Sequence, residues 1–287
     1  MCYGARAVLS RIVLLCVAVA MLATGCGGSG STGRDTVVAA LYPLAYAAGQ
    51  VGAKDVVNLT PPGAEPHDLE LSAREVERVR DAKLVVYIGR GFQPALEGAL
   101  VGRDGPTLDV LSAPGVRLTS DTRDPHVWLD PIRFAAIARS IAHGLGDASA
   151  ADDLVRRLGA LDREFRRGLG RCRSRQIVTS HAAFGYLAAR YDLEQIALVG
   201  ITPEAEPSPR QVARLVRELR DSGATTVFAE PLDSPELAET VAREAGAATA
   251  VLDPLEGLAA AEADAGADYF SVMRDNLAAL RLALGCT

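Results

Sequence analysis

The sequence predicts an α/β fold of two lobes, each with a mainly parallel sheet flanked by helices, joined by one long rigid helix. Three observations carry this expectation. Short runs rich in β-branched residues alternate with amphipathic segments along the chain, which is the pattern of βα units. One uninterrupted helical pattern divides those runs into two groups. Finally, 287 residues with 49% hydrophobic content can bury one large core or two smaller ones, which excludes a disordered chain.

In order, the runs are TVVAAL (36–41), VVNLT (56–60) and LVVYIG (84–89), then QIVTS (176–180), IALVGI (196–201), TTVFAE (225–230) and ATAVLD (248–253). Between them, SAREVERVRDA (72–82) and SPRQVARLVRELRDSG (208–223) each open on a serine suited to cap a helix, and the second stops at a glycine. The dividing segment SAADDLVRRLGALDREFRRGLG keeps Leu154, Leu158, Leu161, Phe165 and Leu169 at helical spacing, with Ser149 as N-cap and Asp152 and Asp153 in the first turn. A helix of about 20 residues would run some 30 Å at about 1.5 Å per residue, enough to join two lobes.

The chain starts with Arg6 and Arg11, an apolar run from Ile12 to Leu22, and small residues up to Cys26. That run has the length of a signal-peptide core and is too short to span a bilayer permanently. LATGC resembles a lipobox, with Ala23 where the pattern usually has leucine and Leu22 one place early, so Cys26 is the candidate lipidation site. An ordinary secretory signal with an incidental cysteine is the alternative. GGSGSTG then reads as a flexible leash. The expected organisation is a lipoprotein signal peptide at 1–25, a tether at 26–34, a first lobe at 35–148, the linking helix at 149–171 and a second lobe at 172–287. Such a chain is exported and held on the outer face of the cell membrane, or is periplasmic.

Removing residues 1–25 takes away Arg6 and Arg11 and no acid, so the 30 basic residues become 28 against 36 acidic ones, a net charge of about −8. An acidic excess without a basic stripe argues against nucleic acid as a partner and suits a cation. Cys2 and Cys16 leave with the signal, so Cys172 and Cys286 remain for an oxidising compartment. Paired, they tie the start of the second lobe to the chain end; two unpaired buried thiols are the alternative.

Only four histidines exist, His67, His126, His143 and His181. His126 sits in DPHVWLDP, where two prolines and the only tryptophan make a stiff setting, although a half-buried histidine against Trp128 is the plainer reading of that segment alone. His67 follows VVNLT in a Pro/Gly loop, and His181 ends QIVTSH. Asp253 and Glu230 end ATAVLD and TTVFAE. In open α/β sheets ligands bind beyond the carboxyl ends of strands, where these residues fall. Three imidazoles and a carboxylate from both halves would meet at an interlobe cleft and suit a borderline divalent ion such as Zn2+. His143, before Gly144 at a helix end, is left to the last helical carbonyls.

Six ordered segments, PPGAEPHDLELSAREV, DPHVWLDP, VTSHAAFGYLAARYDL, FAEPLDSPELAETVAREAG, VLDPLEGL and DYFSVMRDNLAALRLAL, resemble the ZnuA/TroA-like (cluster A-I) solute-binding lipoproteins of bacterial zinc/manganese ABC importers. The resemblance implies two α/β lobes, a linking helix, one buried metal and a monomeric chain that performs no catalysis. It carries family ligands onto His67, His126, His181 and Asp253, with Glu65 or water as alternatives for the fourth place and Glu230 beside the site. Trp128 would close the site to water, and Asp130 or Asp124 would orient His126. Zn2+ is the implied cargo and a membrane ABC permease the implied partner. Manganese carriers of this kind place a glutamate where this chain has His181, so that position separates the zinc reading from a manganese or iron one. A surface adhesin is a further family alternative, and a zinc hydrolase is the rival from another class, since three-histidine sites also occur in enzymes. The long His- and acid-rich loop of many zinc members is missing before His126, where VRLTSDTRDPH is short.

Overall fold

The structure, a computed structural model, describes residues 35–287 except 120, 122 and 202–206. The expected signal peptide, Cys26 and the tether lie outside the described residues, which belong to one compact unit.

The first sheet is built from β1 (Thr36–Ala39), β2 (Asp55–Asn58), β3 (Leu84–Tyr87) and β4 (Thr107–Asp109), all parallel and in the order β2-β1-β3-β4. The second uses β5 (Gln176–Thr179), β6 (Glu194–Ala197), β7 (Thr226–Ala229) and β8 (Ala248–Val251), again parallel, in the order β6-β5-β7-β8. The two sheets thus share one topology, a repeat that the sequence itself does not display. The inner strands are mostly apolar because both faces are covered, as in β1, whose four residues are all buried.

Two strands differ from expectation. The seven β-rich runs leave out β4, which is three residues long, follows a Gly-Pro pair and begins at exposed Thr107. β6 starts at Glu194, two residues before its apolar run, because it is an edge strand whose ladder extends into polar residues.

Helices α1 (Tyr42–Gln50), α2 (Ala73–Asp81), α3 (Pro94–Leu100) and α4 (Pro131–Leu145) belong to the first half. Ser72 and Glu75 form a reciprocal capping box on α2, and Asp130 caps α4 by accepting from the backbone N–H groups of Ile132 and Arg133. The linking helix is α5 (Asp152–Gly168), 17 residues or about 25 Å. It is preceded by a 3-10 turn at Ala148–Ala151 that Asp147, not Ser149, caps through the Ser149 N–H. The second half holds α6 (Gly185–Tyr191), α7 (Pro209–Ser222), α8 (Glu236–Ala245), α9 (Ala260–Asp264) and α10 (Tyr269–Leu284).

α5 buries Leu154, Leu158, Leu161 and Phe165, the expected stripe, against α4 and α10, while α10 also packs on β5 and β8. The apolar interior is therefore not divided by lobe. One main cluster runs from Val37 through Trp128 and Phe165 to Leu284, and a smaller one around Val178, Leu219 and Val241 lies under α7 and α8. Cys172 and Cys286 are joined by a disulfide that fastens the end of α10 to the segment leading into β5.

Candidate metal centre

Four side chains meet beyond the carboxyl ends of the strands. His67 lies in the loop after β2, which Gln93 holds by donating to the Pro66 carbonyl at 3.0 Å and which the Gly63 N–H ties to Leu258 O at 2.9 Å. Glu65 accepts the backbone N–H of His67 at 3.0 Å, and the Phe92 ring meets the imidazole edge-on. His126 follows Pro125 and is fully buried. Asp124 Oδ1 takes its backbone N–H at 2.9 Å and stands 2.8 Å from its Nδ1. His181, two residues past β5, has Nδ1 2.8 and 2.7 Å from the two Glu230 oxygens. Its carbonyl accepts from Thr179 Oγ1 and Gln195 Nε2.

The fourth member is Glu256. Its Oε1 lies 3.1 Å from His67 Nε2, 2.6 Å from His126 Nε2 and 3.5 Å from His181 Nε2, and the last two nitrogens are 3.4 Å apart. One atom from each of these four residues falls within 4.8 Å of all the others. Both Nδ1 atoms that bond carboxylates leave Nε2 pointing inward, the arrangement in which an outer carboxylate fixes the tautomer and aim of a metal-binding imidazole. Three nitrogens and one oxygen suit tetrahedral Zn2+.

The electrostatics match a site that exchanges protons for a cation. Burial opposes the charged form of Glu256, but hydrogen bonds from His126, His181 and His67 hold its carboxyl well below the usual range. Burial likewise disfavours a charged His181, yet hydrogen bonds to Glu230 and Glu256 outweigh it and push the ring up to about 10. His126 is raised in the same way, against burial, by Asp124 and Glu256. Glu65 is lifted to about 7, by burial first and the Glu256 charge second. A cavity of about 740 Å3 opens beside His67, between Phe92 and Ala182. Among the described residues a second set of possible donors, His181, Glu230 and Asp233, adjoins the first and shares its histidine.

Asp253 does not join the cluster. Its Oδ1 turns back to accept the Leu255 N–H at 2.6 Å, and its own N–H and C=O are both taken by Asn276. An aspartate before proline commonly closes such a turn on the backbone two residues on, which is the signal in VLDPLEGL that leaves Glu256 as the free carboxylate. Asp130 is likewise engaged elsewhere, as the α4 cap and the ion-pair partner of Arg133, so Asp124 alone orients His126. Glu65 and Glu230 sit around the cluster as hydrogen-bond partners of His67 and His181. Trp128, wholly buried, packs its ring 5.3 Å from that of His126 and donates to Pro254 O at 2.7 Å. His143 falls in the last turn of α4, outside the cluster.

The protein-family model described as zinc-uptake complex component A, periplasmic, matches residues 37–283. The chain belongs to this ZnuA family. It is 34% identical over 87% of its length to the zinc-binding protein AdcA of Streptococcus pyogenes serotype M1, of which it covers 56%. It is 28% identical to the high-affinity zinc uptake system protein ZnuA of Bacillus subtilis, over 91% of this chain and 93% of that protein. The chain thus spans about half the length of the AdcA relatives and nearly all of the Bacillus ZnuA. Among solved structures, the Zn(II)-bound ZnuA-like domain of Streptococcus pneumoniae AdcA superposes with a TM-score of 0.75 at 32% identity, covering 87% of this chain and 98% of that one. All four clustered residues lie inside the span matched by the ZnuA family model.

Proposed function

We propose that this protein is the extracytoplasmic zinc-binding component of an ABC importer, capturing Zn2+ at His67, His126, His181 and Glu256 and delivering it to a membrane permease. The observation that carries the reading is the convergence of three imidazole Nε2 atoms within 2.6 to 3.5 Å of one buried carboxylate oxygen. A cation placed there would replace the hydrogen bonds that His67 and His126 make to Glu256. Zinc relatives such as AdcA and ZnuA support the choice of ion. Lipidation at Cys26 would anchor the chain to the membrane through its Gly/Ser tether.

In this reading the protein performs no reaction on its cargo. A catalytic zinc keeps an open water position with a base beside it, whereas Glu256 fills the fourth place and Glu230 is bound to His181. Three nitrogens and one carboxylate favour zinc over the harder manganese ion, a preference that the Irving–Williams order also grants. Metal analysis of protein purified without added metal, followed by zinc–manganese competition, tests the reading. Zinc should be retained against a large excess of manganese, and His181→Glu should narrow the gap chiefly by weakening zinc. A preference of the parent for manganese would overturn the choice of ion.

A further inference from the structure

Glu256 hangs from a strained turn held from several sides. Leu255, wholly buried, has φ of +57°, the left-handed region that residues with a β-carbon avoid. Such a conformation persists only where its surroundings over-determine it. Here Asp253 Oδ1 captures the Leu255 N–H, and Trp128 Nε1 captures the intervening Pro254 carbonyl. Behind them stands Asn276, 3% exposed on α10, whose side-chain amide brackets Asp253 like a neighbouring strand. Its Oδ1 accepts the Asp253 N–H at 2.8 Å and its Nδ2 donates to the Asp253 carbonyl at 2.7 Å. Two turns earlier on α10, Tyr269 donates to the Trp128 carbonyl at 2.7 Å, so one helix grips both the His126 segment and the Glu256 segment.

We propose that Asn276 is a positioning residue of the metal centre: through Asp253 it locks the Asp253–Leu255 turn, keeps Leu255 left-handed, and so fixes the Glu256 carboxylate on the three imidazoles. This rests on the metal-binding reading of that cluster. Released from Asn276, the turn relaxes toward an ordinary backbone conformation and Glu256 swings off the imidazoles. A metal would then keep three nitrogens and take water as its fourth ligand. The left-handed Leu255 gives the mechanism its own signature, because glycine occupies that conformation freely.

The test uses the full mature protein loaded with Zn2+ or with Co2+, whose visible absorption reports coordination. Asn276→Ala should weaken Zn2+ binding about 10- to 100-fold, the range for outer partners of metal ligands. It should also shift the Co2+ bands as the carboxylate is replaced by water. Adding Leu255→Gly to that variant should reverse part of both changes. If Asn276→Ala does not fold, Trp128→Phe, which frees the Pro254 carbonyl on the opposite side of the turn, should give the same shift of the Co2+ bands. A parent that binds neither ion overturns the metal reading and this proposal together. A parent that binds both, with variants that melt earlier yet keep the parent's affinity and spectrum, overturns this proposal alone, since Asn276 would then serve only stability.

Discussion

Asp124 of the first half and Gly185 of the second are so close that a β-carbon at position 185 would stand 2.7 Å from Asp124 Oδ2. That is nearer than real Cβ contacts come, and Asp124 cannot step aside without leaving His126, whose N–H and Nδ1 it holds. The glycine that opens α6 therefore makes room for the acid that aims His126 from the other lobe. Gly185→Ala is expected to displace Asp124 and weaken Zn2+ binding about 10- to 100-fold, with a stability loss of about 1 to 3 kcal/mol from overpacking. Chelator competition together with a thermal melt measures both; an affinity within twofold of the parent would show that Asp124 does not orient His126.

Two substitutions separate Glu256, the proposed carboxylate ligand, from Asp253. Glu256→Gln should lower Zn2+ affinity by at least about tenfold, because a neutral amide replaces the only anionic donor in the cluster. Asp253→Asn should leave affinity within a few-fold, since an asparagine Oδ1 still accepts the Leu255 N–H. The opposite ranking in a titration would return the ligand role to Asp253.

Much of this site was legible because its parts are local. His67 and His181 each stand just past a β-rich run, where strand-end placement puts them, and His126 sits in the proline-braced turn of DPHVWLDP. The α/β alternation and the Leu154–Phe165 stripe were legible for the same reason, as periodicities within single elements. The choice between neighbours was only faintly legible, in the Asp-Pro turn of VLDPLEGL. Asp253 and Glu256 are three residues apart in one loop, and the Asn276 and Trp128 bonds, made from residues 23 and 126 positions away, hold the turn in which Glu256 and not Asp253 faces the imidazoles. The shared core is hidden in the sequence for a similar reason, because α10 packs across both halves through contacts that no local pattern encodes.

Asp253 has a further consequence for the metal-free protein. Burial above all, helped by the charges of Glu262, Glu230 and Glu256, raises its carboxyl to about 7, while its backbone bond from Leu255 pulls the other way. A folded pKa above the unfolded value means that the native state binds the extra proton. This group's contribution to stability is therefore full below about pH 4 and is lost as pH rises to about 7. Asp253→Asn should remove that loss: at pH 8 it should be more stable than the parent by on the order of a few kcal/mol, at about 1.36 kcal/mol per unit, and near pH 4 the two should coincide. Urea melts of metal-free protein at both pH values decide; a variant less stable at pH 8 would mean that the carboxylate is paired when charged.

The Cys172–Cys286 disulfide closes a loop of 114 residues at the amino end of β5, whereas the metal cluster lies beyond the carboxyl ends of the strands. Replacing both cysteines by serine should cost up to about 5 kcal/mol of stability in the chain-entropy model and leave Zn2+ affinity unchanged. Non-reduced parent protein should give no thiol signal from either residue. A variant as stable as the parent, or one that loses zinc while still folded, would contradict this separation of roles.

Zinc binding should release protons well above the range of an ordinary histidine. An unperturbed imidazole, with a pKa of about 6.5, is almost wholly neutral at pH 8 and would have none to give. Here burial disfavours the charge on His181, but Glu230 and Glu256 together push the ring up to about 10, so the metal-free site holds a proton that must leave before Nε2 can coordinate. His126 is raised in the same direction. Affinity should accordingly climb about tenfold per pH unit for each proton displaced, across pH 7 to 9, where a site of ordinary histidines would be flat. Calorimetry in buffers of different ionisation enthalpy counts those protons directly. At least one per Zn2+ is expected at pH 8, and the count should fall when Glu230→Gln removes the charge that holds the proton on His181. No proton released at pH 8 would mean that the imidazoles stand neutral before the metal arrives.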